Sequence, residues 1–403
     1  MKMTRLLFYI VLCTVSLFAQ GHTIDGIRYS IIDDGSVGVD RLISTTQKFP
    51  IVITIPSTVE IEGKIYNVTS ILDNAFSNIS WCYGVVIPNS VIHIGEYAFS
   101  KCDDLHHITI GNGLESVGNN AFKDCQRLNK VIISDIESWC NVVFGTIRIY
   151  GETIMKSDLQ YREQANPLYW AHHLYLNEEE ITNLVIPSNI TEIKDCTFIG
   201  GNFSTVSFHE NITKIGDASF CNCSYLKEII LPDKLTSLGE SAFSQIEYLT
   251  KVSLGASFRG AGLNTFSGDD AISEIYSFNA VPPKIQFAGS YFGGFANNVF
   301  QNAKVYVPYG SSKEYREDYV WGRFLNLFEM QNSGVEEISS DNDLSVSVQQ
   351  GNIIINGNIG DNHVKVISIN GQTMYHGCNS IIMVHQKGIY IVSVSGKTFK
   401  VVI

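Results

Sequence analysis

Cysteine, histidine and carboxylate side chains are the candidate nucleophiles, acids and metal ligands of this sequence, and the cysteines follow a pattern. Cys102, Cys125 and Cys223 each lie three residues after a phenylalanine, at positions where other segments carry Ile79 and Ile246. A position that accepts either Cys or Ile is usually a buried apolar one, so we expect structural thiols. A disulfide between Cys102 and Cys125 is the alternative, since an oxidising compartment would permit it.

The spacing of the other reactive residues does not favour a metal or catalytic site. Cys221 and Cys223 have no His at ligand spacing, and His172 and His173 have no third ligand at a known spacing. The sequence contains no GxSxG or HExxH motif, no Walker-type phosphate loop and no glycine fingerprint between a strand and a helix. We therefore expect a protein that is not an enzyme and uses neither metal nor cofactor.

Aromatic residues are concentrated in one segment, which contains "IESWCNVVFG" and "NPLYWAHHLYLNEEEITNLVIP". Its candidate ligand-contacting rings are Trp139, Tyr169, Trp170 and Tyr175. If exposed, these rings would form a platform for a glycan or a protein partner. If buried, they would form a small local core, and the sequence leaves both alternatives open.

The elements that position these residues follow a repeat built on phenylalanine. The steps between successive anchors are 23, 23, 76, 22, 23 and 23 residues, and the anchors are Phe76, Phe99, Phe122, Phe198, Phe220, Phe243 and Phe266. The position four residues before the anchor is mostly glycine, with Leu72 and Lys194 as exceptions. Apolar residues nine and eleven positions after most anchors predict a short strand with one buried face.

One 23-residue unit cannot bury its own apolar face, so the copies must stack into a solenoid. The strands of successive coils then pair as a parallel ladder, and equivalent side chains lie above one another. Each anchor Phe becomes part of an internal spine, where its burial contributes about 2 kcal/mol. Such a fold offers broad surfaces and few deep pockets, which again argues against catalysis.

Composition and charge restrict the class of partner. Hydrophobic residues make up 45% of the chain, charged residues only 17%, and 28 Lys and Arg stand against 40 Asp and Glu. An acidic chain without a basic run does not favour nucleic acid. Residues 1–20 have the basic start, the apolar stretch and the small residue of a signal peptide. No later segment is long enough to span a bilayer, so we expect no transmembrane segment in the mature protein.

The segments around the repeat divide the chain into further predicted units. Residues 21–66, with turns at Asp34-Gly35 and Glu62-Gly63, predict a β-rich N-terminal cap. The solenoid covers 67–330, with irregular coils at 136–180 that continue the stack and a closing unit at 280–330. Residues 331–343 are a polar linker. Short alternating strands in 344–403 predict a small Ig-like all-β sandwich.

The repeat resembles the BspA-like leucine-rich repeats of bacterial surface proteins, whose pattern is L-x-x-I-x-I-P-x-x-V-x-x-I-G-x-x-A-F-x-x-C. The resemblance covers roughly Ile51 to Glu329. Ordinary leucine-rich repeats carry an Asn or Cys column after the strand, where this chain has Pro or Gly. The resemblance implies a leucine-rich-repeat solenoid that is exported and adheres to host matrix or to other cells.

The end of the chain resembles the C-terminal sorting domain of type IX secretion cargo. The matching segments are "ISINGQ", "KGIYIVSV" and "GKTFKVVI". The resemblance implies that Gly388, Tyr390, Lys397 and Lys400 are recognised by the secretion machinery during passage through an outer membrane. A plain terminal Ig-like domain is the alternative.

These observations together predict a secreted protein on the cell surface of a bacterium with an outer membrane. It would be non-catalytic, and its solenoid face would bind a protein of the host or of a neighbouring cell. A glycan-binding accessory protein of nutrient uptake is a second hypothesis. A structural component of the surface layer, with no specific ligand, is a third.

Overall fold

The computed structural model describes most of the repeat region and the strands that follow it. The described ranges are 21–43, 51–145, 147–150, 153–156, 158–286, 294–330, 345–349, 352–356, 364–368, 373–377, 381–383, 389–394 and 397–402. The predicted signal peptide, the predicted linker and Gly388 lie outside them. None of the described helices has the length and apolar character needed to cross a bilayer.

Two ladders of parallel strands form the first array of coils. The first long ladder consists of β4 (Ile51–Thr54), β7 (Cys82–Ile87), β9 (His107–Ile110), β11 (Lys130–Ile133) and β15 (Leu174–Leu176), with β16 (Glu179–Glu180) antiparallel at its end. The first short ladder contains β6 (Lys64–Ile71), β8 (His93–Ile94), β10 (Ser116–Val117) and β12 (Val143–Phe144). Ile108 pairs in register with Val85 and Val131, and all three are buried.

Antiparallel strands at the N-terminus begin the first short ladder. They are β1 (His22–Ile24), β2 (Ile27–Ile31) and β3 (Ser36–Leu42), and β3 pairs in parallel with β6. The hairpin between β5 (Thr58–Ile61) and β6 turns at Glu62 and Gly63, which have φ values of 52° and 82°. Two consecutive left-handed residues are what a tight two-residue hairpin needs, so the predicted turn at this position is confirmed.

The second array repeats the same plan. Its long ladder consists of β21 (Glu228–Ile230), β23 (Lys251–Leu254), β25 (Glu274–Ser277), β27 (Lys304–Val307) and β28 (Asn326–Glu329). Its short ladder consists of β18 (Glu192–Ile193), β20 (Lys214–Ile215), β22 (Ser237–Leu238), β24 (Gly260–Ala261) and β26 (Lys284–Ile285). A separate parallel pair, β17 (Asn183–Val185) and β19 (Thr205–Ser207), precedes the long ladder.

The anchor phenylalanines are buried and stack in two columns. The first column joins Phe76, Phe99 and Phe122, with ring centroids 5.0 and 5.2 Å apart. The second column joins Phe198, Phe220, Phe243, Phe266 and Phe295, with centroids 5.4, 5.2, 6.3 and 5.2 Å apart. Phe295 extends the spine by one ring that the repeat spacing had not revealed, because its coil is 29 residues long.

The glycine four residues before each anchor is required by the close approach of neighbouring coils. A Cβ added at Gly118 would lie 2.5 Å from the backbone nitrogen of Glu96, and one at Gly239 would lie 2.4 Å from that of Asp217. The two exceptions, Leu72 and Lys194, belong to the first regular coil of each array. Leu72 has room because the neighbouring strand β3 carries Gly38, where an added Cβ would lie 2.7 Å from the leucine side chain. The Lys194 side chain extends to the carbonyl of Asn141 in the junction.

The segment between the arrays departs from the regular coil, although both ladders of the first array continue into it as β12 and β15. Val131 of β11 pairs with Leu174 of β15 across a long excursion, and a different set of sheets begins after β16. The excursion contains α1 (Ile136–Cys140), β13 (Ile147–Tyr150), β14 (Thr153–Lys156), α2 (Leu159–Glu163) and α3 (Leu168–Ala171). In the regular coils, the N–H of each anchor donates to the carbonyl of the residue just before the next anchor. The Phe122 N–H donates to the carbonyl of Gln164, so Ala165 takes the position of the next anchor ring.

Side chains hold the two arrays together at this junction. The buried Asn166 amide donates to the carbonyls of Cys196 and Thr197, at 2.7 and 3.1 Å. Arg162, whose side chain is 6% exposed, forms ion pairs with Asp195 at 2.8 Å and Asp217 at 3.2 Å. Together with one backbone bond, from the Asn202 N–H to the His172 carbonyl at 2.7 Å, these side chains take the place of a ladder at the junction.

Two short helices and an aromatic cluster close the second array. The helices are α4 (Asn297–Asn302) and α5 (Ser312–Glu317), followed by a 3₁₀ turn, Trp321–Arg323. Buried Trp321 donates to the carbonyl of Pro283 and packs on Phe324 at 5.7 Å. The Ser311 side chain makes no cap hydrogen bond, and the Ser312 N–H donates to Glu329 of the edge strand instead.

The C-terminal strands form two antiparallel sheets. One contains β29 (Ser345–Gln349), β30 (Asn352–Asn356) and β33 (Ile381–Met383), and the other contains β31 (Val364–Ser368), β32 (Thr373–Gly377), β34 (Ile389–Val394) and β35 (Lys397–Val402). Residues of both sheets, including Ile353, Ile382, Val366 and Val392, share one apolar cluster. The finer prediction of an Ig-like sandwich stays a prediction.

Candidate functional site

The aromatic segment does not present its four predicted rings as one platform. Trp139 is only 2% exposed, and its indole N–H donates to the carbonyl of Thr197 at 3.0 Å. The ring packs on Phe144 with centroids 5.3 Å apart. Trp139 thus fills the junction between the arrays, as the local-core alternative describes, and offers no ring face to a ligand.

Tyr169 and Trp170 remain partly exposed on α3. Their rings meet edge to face with centroids 5.1 Å apart. The Trp170 indole nitrogen is buried and has no hydrogen-bond partner among the described residues. These two rings form a pair at the rim of the junction.

Tyr175 lies on a different surface, the outward face of the first long ladder. It is in register with Ile132 of β11, and the ammonium of Lys130 stands over its ring at 4.2 Å. His173 and Glu180 form a polar contact of 2.5 Å beside it. Burial, followed by the charge of Glu180, raises the pKa of the Tyr175 phenol, which therefore stays protonated at neutral pH.

Three further rings extend this face, and we name Tyr83, His106 and His107 the ring cluster. Tyr83 is 39% exposed, stacks on His106 at 4.4 Å and meets His107 edge-on at 5.4 Å. The His107 ring lies over Gly84, where an added Cβ would approach its Nε2 to 2.2 Å. The glycine thus allows the imidazole to lie flat across the neighbouring strand.

Electrostatics favour the neutral form of His107. Burial lowers the pKa of His107, and the positive charges of Lys130 and His106 lower it further. A neutral imidazole can donate through one nitrogen and accept through the other. Lys130 supplies positive charge beside these hydrogen-bonding rings.

Aromatic rings also occupy the outward face of the second long ladder. Tyr276 stacks on Tyr306 at 4.7 Å, and Tyr306 meets Phe328 at 5.9 Å. Phe328 is 47% exposed. The repeat pattern does not single out these residues or the ring cluster, because its recurring apolar positions are the buried ones of each strand. The signal for them was present at the alternate positions between the apolar residues.

The described cysteines are buried free thiols, which answers the open question about a disulfide. Cys102 and Cys125 donate to the carbonyls of Phe76 and Phe99, one coil back, each at 3.1 Å. Burial raises the pKa of the Cys125 thiol to about 12 and that of Cys102 higher still. A thiol that stays protonated is a poor nucleophile.

The remaining candidate ligands serve local structure. His172 contacts the carbonyl of Gly200 at 2.7 Å, and Cys223 donates to that of Phe198 at 3.2 Å. Within the described part of the chain, no three His, Cys, Asp or Glu side chains gather at a common point that suits a metal ion.

The predicted sorting residues lie on the last two strands where the structure describes them. Tyr390 is 3% exposed on β34 and pairs with Val401 and Ser368. Lys397 and Lys400 belong to β35, opposite Val394 and Ile391.

Comparison with known proteins gives a family match and several solved structures of low similarity. The model of the BspA type leucine rich repeat region matches residues 56–163 and 171–291, in 6 copies, which is more than half of the chain. Comparison with curated proteins finds no match.

Three solved structures illustrate the similarity. A leucine-rich repeat protein from Bacteroides ovatus is 22% identical over 71% of this chain and 78% of its own, with a TM-score of 0.37. A leucine rich cell surface protein from Faecalibacterium prausnitzii is 16% identical over 78% and 95%, with a TM-score of 0.33. The pneumococcal vaccine antigen PcpA is 15% identical over 78% and 99%, with a TM-score of 0.35.

Proposed function

Because this chain belongs to the family of BspA-type leucine-rich repeat proteins, we propose that it is an exported, non-catalytic surface protein that binds another protein. The binding surface is the outward face of the first long ladder. The partner is a protein of the host matrix or of a neighbouring cell.

The ring cluster is the observation that carries this proposal. Tyr83 and His106 project beside His107, and Lys130 and Tyr175 follow on the next two strands. Aromatic side chains held on rigid strands lose little conformational freedom on binding, and they are frequent hot spots of protein interfaces. The neutral imidazole of His107 adds directional hydrogen bonds without a large desolvation cost.

A binding assay with matched aromatic variants tests the proposal. The full chain is immobilised and probed with a panel of host matrix proteins. We expect Tyr83→Ala and His106→Ala each to weaken binding at least tenfold, which corresponds to about 1.4 kcal/mol. The controls are Tyr225→Ala and Tyr248→Ala, an exposed pair at 6.2 Å in the second array. Equal losses in both pairs would contradict the proposal.

A glycan is the second candidate ligand, and the Tyr169–Trp170 pair favours it. A sugar ring can pack on the partly exposed indole of Trp170, beside the edge-to-face ring of Tyr169. Trp170→Ala should then abolish retention in affinity electrophoresis with the glycan, while Tyr161→Ala on the same segment should not. Blank glycan and matrix arrays would instead favour a structural surface-layer role.

Export is the other half of the proposal, with residues 1–20 as signal peptide and 344–403 as type IX sorting domain. The resemblance of the last strands to that domain supports it. We expect Lys397→Glu with Lys400→Glu to retain the protein inside the outer membrane, as measured by surface proteolysis. Lys365→Glu, an exposed change on β31, is the control and should leave export unchanged.

A further inference from the structure

The outward face of the first long ladder carries a row of basic side chains on three neighbouring coils. His107 on β9 pairs in register with Lys130 on β11. His173 directly precedes Leu174, whose partner is Val131, so it lies opposite Lys130 on the side away from His107. The equivalent positions of the second long ladder instead alternate in sign, and they are Glu228, Lys251, Glu274 and Lys304.

This basic row is not balanced within its own ladder. Lys130 forms no ion pair in the described part of the chain, whereas its counterpart Lys251 pairs with Glu228 at 2.5 Å. Adjacent groups of like charge on a sheet repel one another. Burial and the charges of Lys130 and His106 lower the pKa of His107, which keeps it uncharged at neutral pH and avoids that repulsion.

The surrounding ionisable groups leave the row able to gain positive charge in acid. His106 and Tyr83 face His107, and His106 is a further imidazole that can take up a proton. The nearby carboxylate of Asp104 is already paired with Arg127.

At the other end of the row, Glu180 contacts Nδ1 of His173 at 2.5 Å. At neutral pH the charges of Lys130 and Glu180 offset each other across the face. Histidine side chains take up protons between about pH 8 and pH 5, so the face becomes net positive over that range.

A second outward row runs beside the basic one, two residues further along each strand, and it is largely apolar. Its members are partly exposed and lie in register, and they are Val86, Thr109, Ile132 and Tyr175. A ligand that covers both rows must present carboxylates to one and apolar side chains to the other.

We propose that this face binds an acidic segment of a protein partner, and that the binding strengthens as pH falls. A carboxylate beside a histidine favours its protonated form, so binding and proton uptake support each other. A uronic acid glycan supplies carboxylates but has no apolar side chains for the second row, so the two rows together favour a peptide. The inference rests on the proposed function, because it names the chemistry of the partner and the pH response of the same face.

Fluorescence anisotropy of the full chain with a short labelled peptide of alternating Glu and Leu tests the inference. The dissociation constant should fall at least about fivefold from about pH 7.5 to about pH 5.5, where glutamate is still ionised. Lys130→Gln should weaken binding at least about threefold at both pH values. Lys251→Gln, at the equivalent position of the second long ladder, is the matched control and should bind as wild type does.

The double variant His107→Gln/His173→Gln assigns the pH response to the row. Glutamine keeps a hydrogen-bonding side chain but cannot take up a proton, so most of the gain between the two pH values should disappear. Circular dichroism at both pH values verifies that each variant is folded.

Three results would overturn the inference: a wild-type affinity that does not change with pH, a double variant that keeps the full gain, or a galacturonate oligomer that binds as tightly as the peptide. None of these results would contradict the proposed function. That proposal would fail separately, if Tyr83→Ala and His106→Ala left the binding of host matrix proteins unchanged.

Discussion

At the scale of single residues, the distance between neighbouring coils limits which side chains the repeat accepts. The position four residues before most anchors excludes side chains larger than that of glycine, because the backbone of the preceding coil lies within van der Waals contact. Position three after it admits Cys or Ile because the site is buried and apolar. The sequence reveals both rules, since each position repeats with the anchor.

Gly118→Ala should destabilise the fold by about 3 kcal/mol, because its methyl group would lie 2.5 Å from a backbone nitrogen that cannot move away. Urea unfolding measures the change. Gly35→Ala is the matched control, since an added Cβ there meets only an Asp33 carboxylate oxygen at 3.9 Å. A loss below 1 kcal/mol for Gly118→Ala would show that the coils can separate.

Asp269 lies three residues after an anchor, at the position where other coils carry Cys or Ile. Its carboxyl should make the free energy of unfolding fall as pH rises. It is fully buried; one oxygen accepts from Ile246 at 2.6 Å, and the other has no hydrogen-bond partner in the described structure. Burial raises the pKa of this carboxyl well above its usual value. Between the unfolded and the folded pKa, the folded state keeps a proton that the unfolded state has released, so stability decreases with pH.

Asp269→Asn should therefore stabilise the protein at neutral pH by about 2 kcal/mol, because no buried charge can form. The difference from wild type should shrink towards pH 4, where the unfolded chain also begins to protonate. Urea unfolding at a series of pH values measures it. The exposed neighbour variant Asp270→Asn should show little change, and an equal gain at every pH would argue against the titration of Asp269.

At the scale of elements, the sequence repeat predicts the regular coils but not the segment between the arrays. The four 23-residue steps predicted parallel ladders, which the structure has. The 76-residue step gave no period, because α1, α2 and α3 cross the gap with side-chain contacts that no repeat encodes. Leu72 and Lys194 were the available signal, since missing glycines mark the first coil of an array. The burial of Trp139 depends on tertiary contacts and left no periodic trace.

Arg162→Met should cost about 3 kcal/mol, because it removes a buried cation that joins carboxylates on two successive coils. Methionine keeps most of the side-chain volume, so the loss reports on charge. Arg127→Met removes a salt bridge to Asp104 in which the arginine is 64% exposed, and it should cost less than about 1 kcal/mol. Equal effects of the two changes in urea unfolding would mean that the junction does not depend on Arg162.

At the scale of the whole molecule, the two arrays consist of separate sheets, because no ladder of one continues into the other. In a repeat protein each coil is stabilised mainly by its direct neighbours. Damage to one array should therefore stay largely within it.

Hydrogen exchange measured by mass spectrometry can detect this independence. Gly118→Ala should accelerate exchange in β9 and β11 by at least tenfold, while the amides of β23 and β25 should keep their wild-type protection. Gly239→Ala should produce the reverse pattern. Acceleration throughout both arrays in either variant would show that they unfold as one unit.

The junction has a mechanical meaning if the chain is tethered at its C-terminus and held by a ligand at its first array. Tension then passes through the side-chain contacts of Arg162, Asn166 and Trp139 and one backbone bond, whereas a ladder of backbone bonds ties each regular coil to the next. The link between the arrays would yield before either stack unravels. The protein would lengthen under load while both of its outward faces kept their shape.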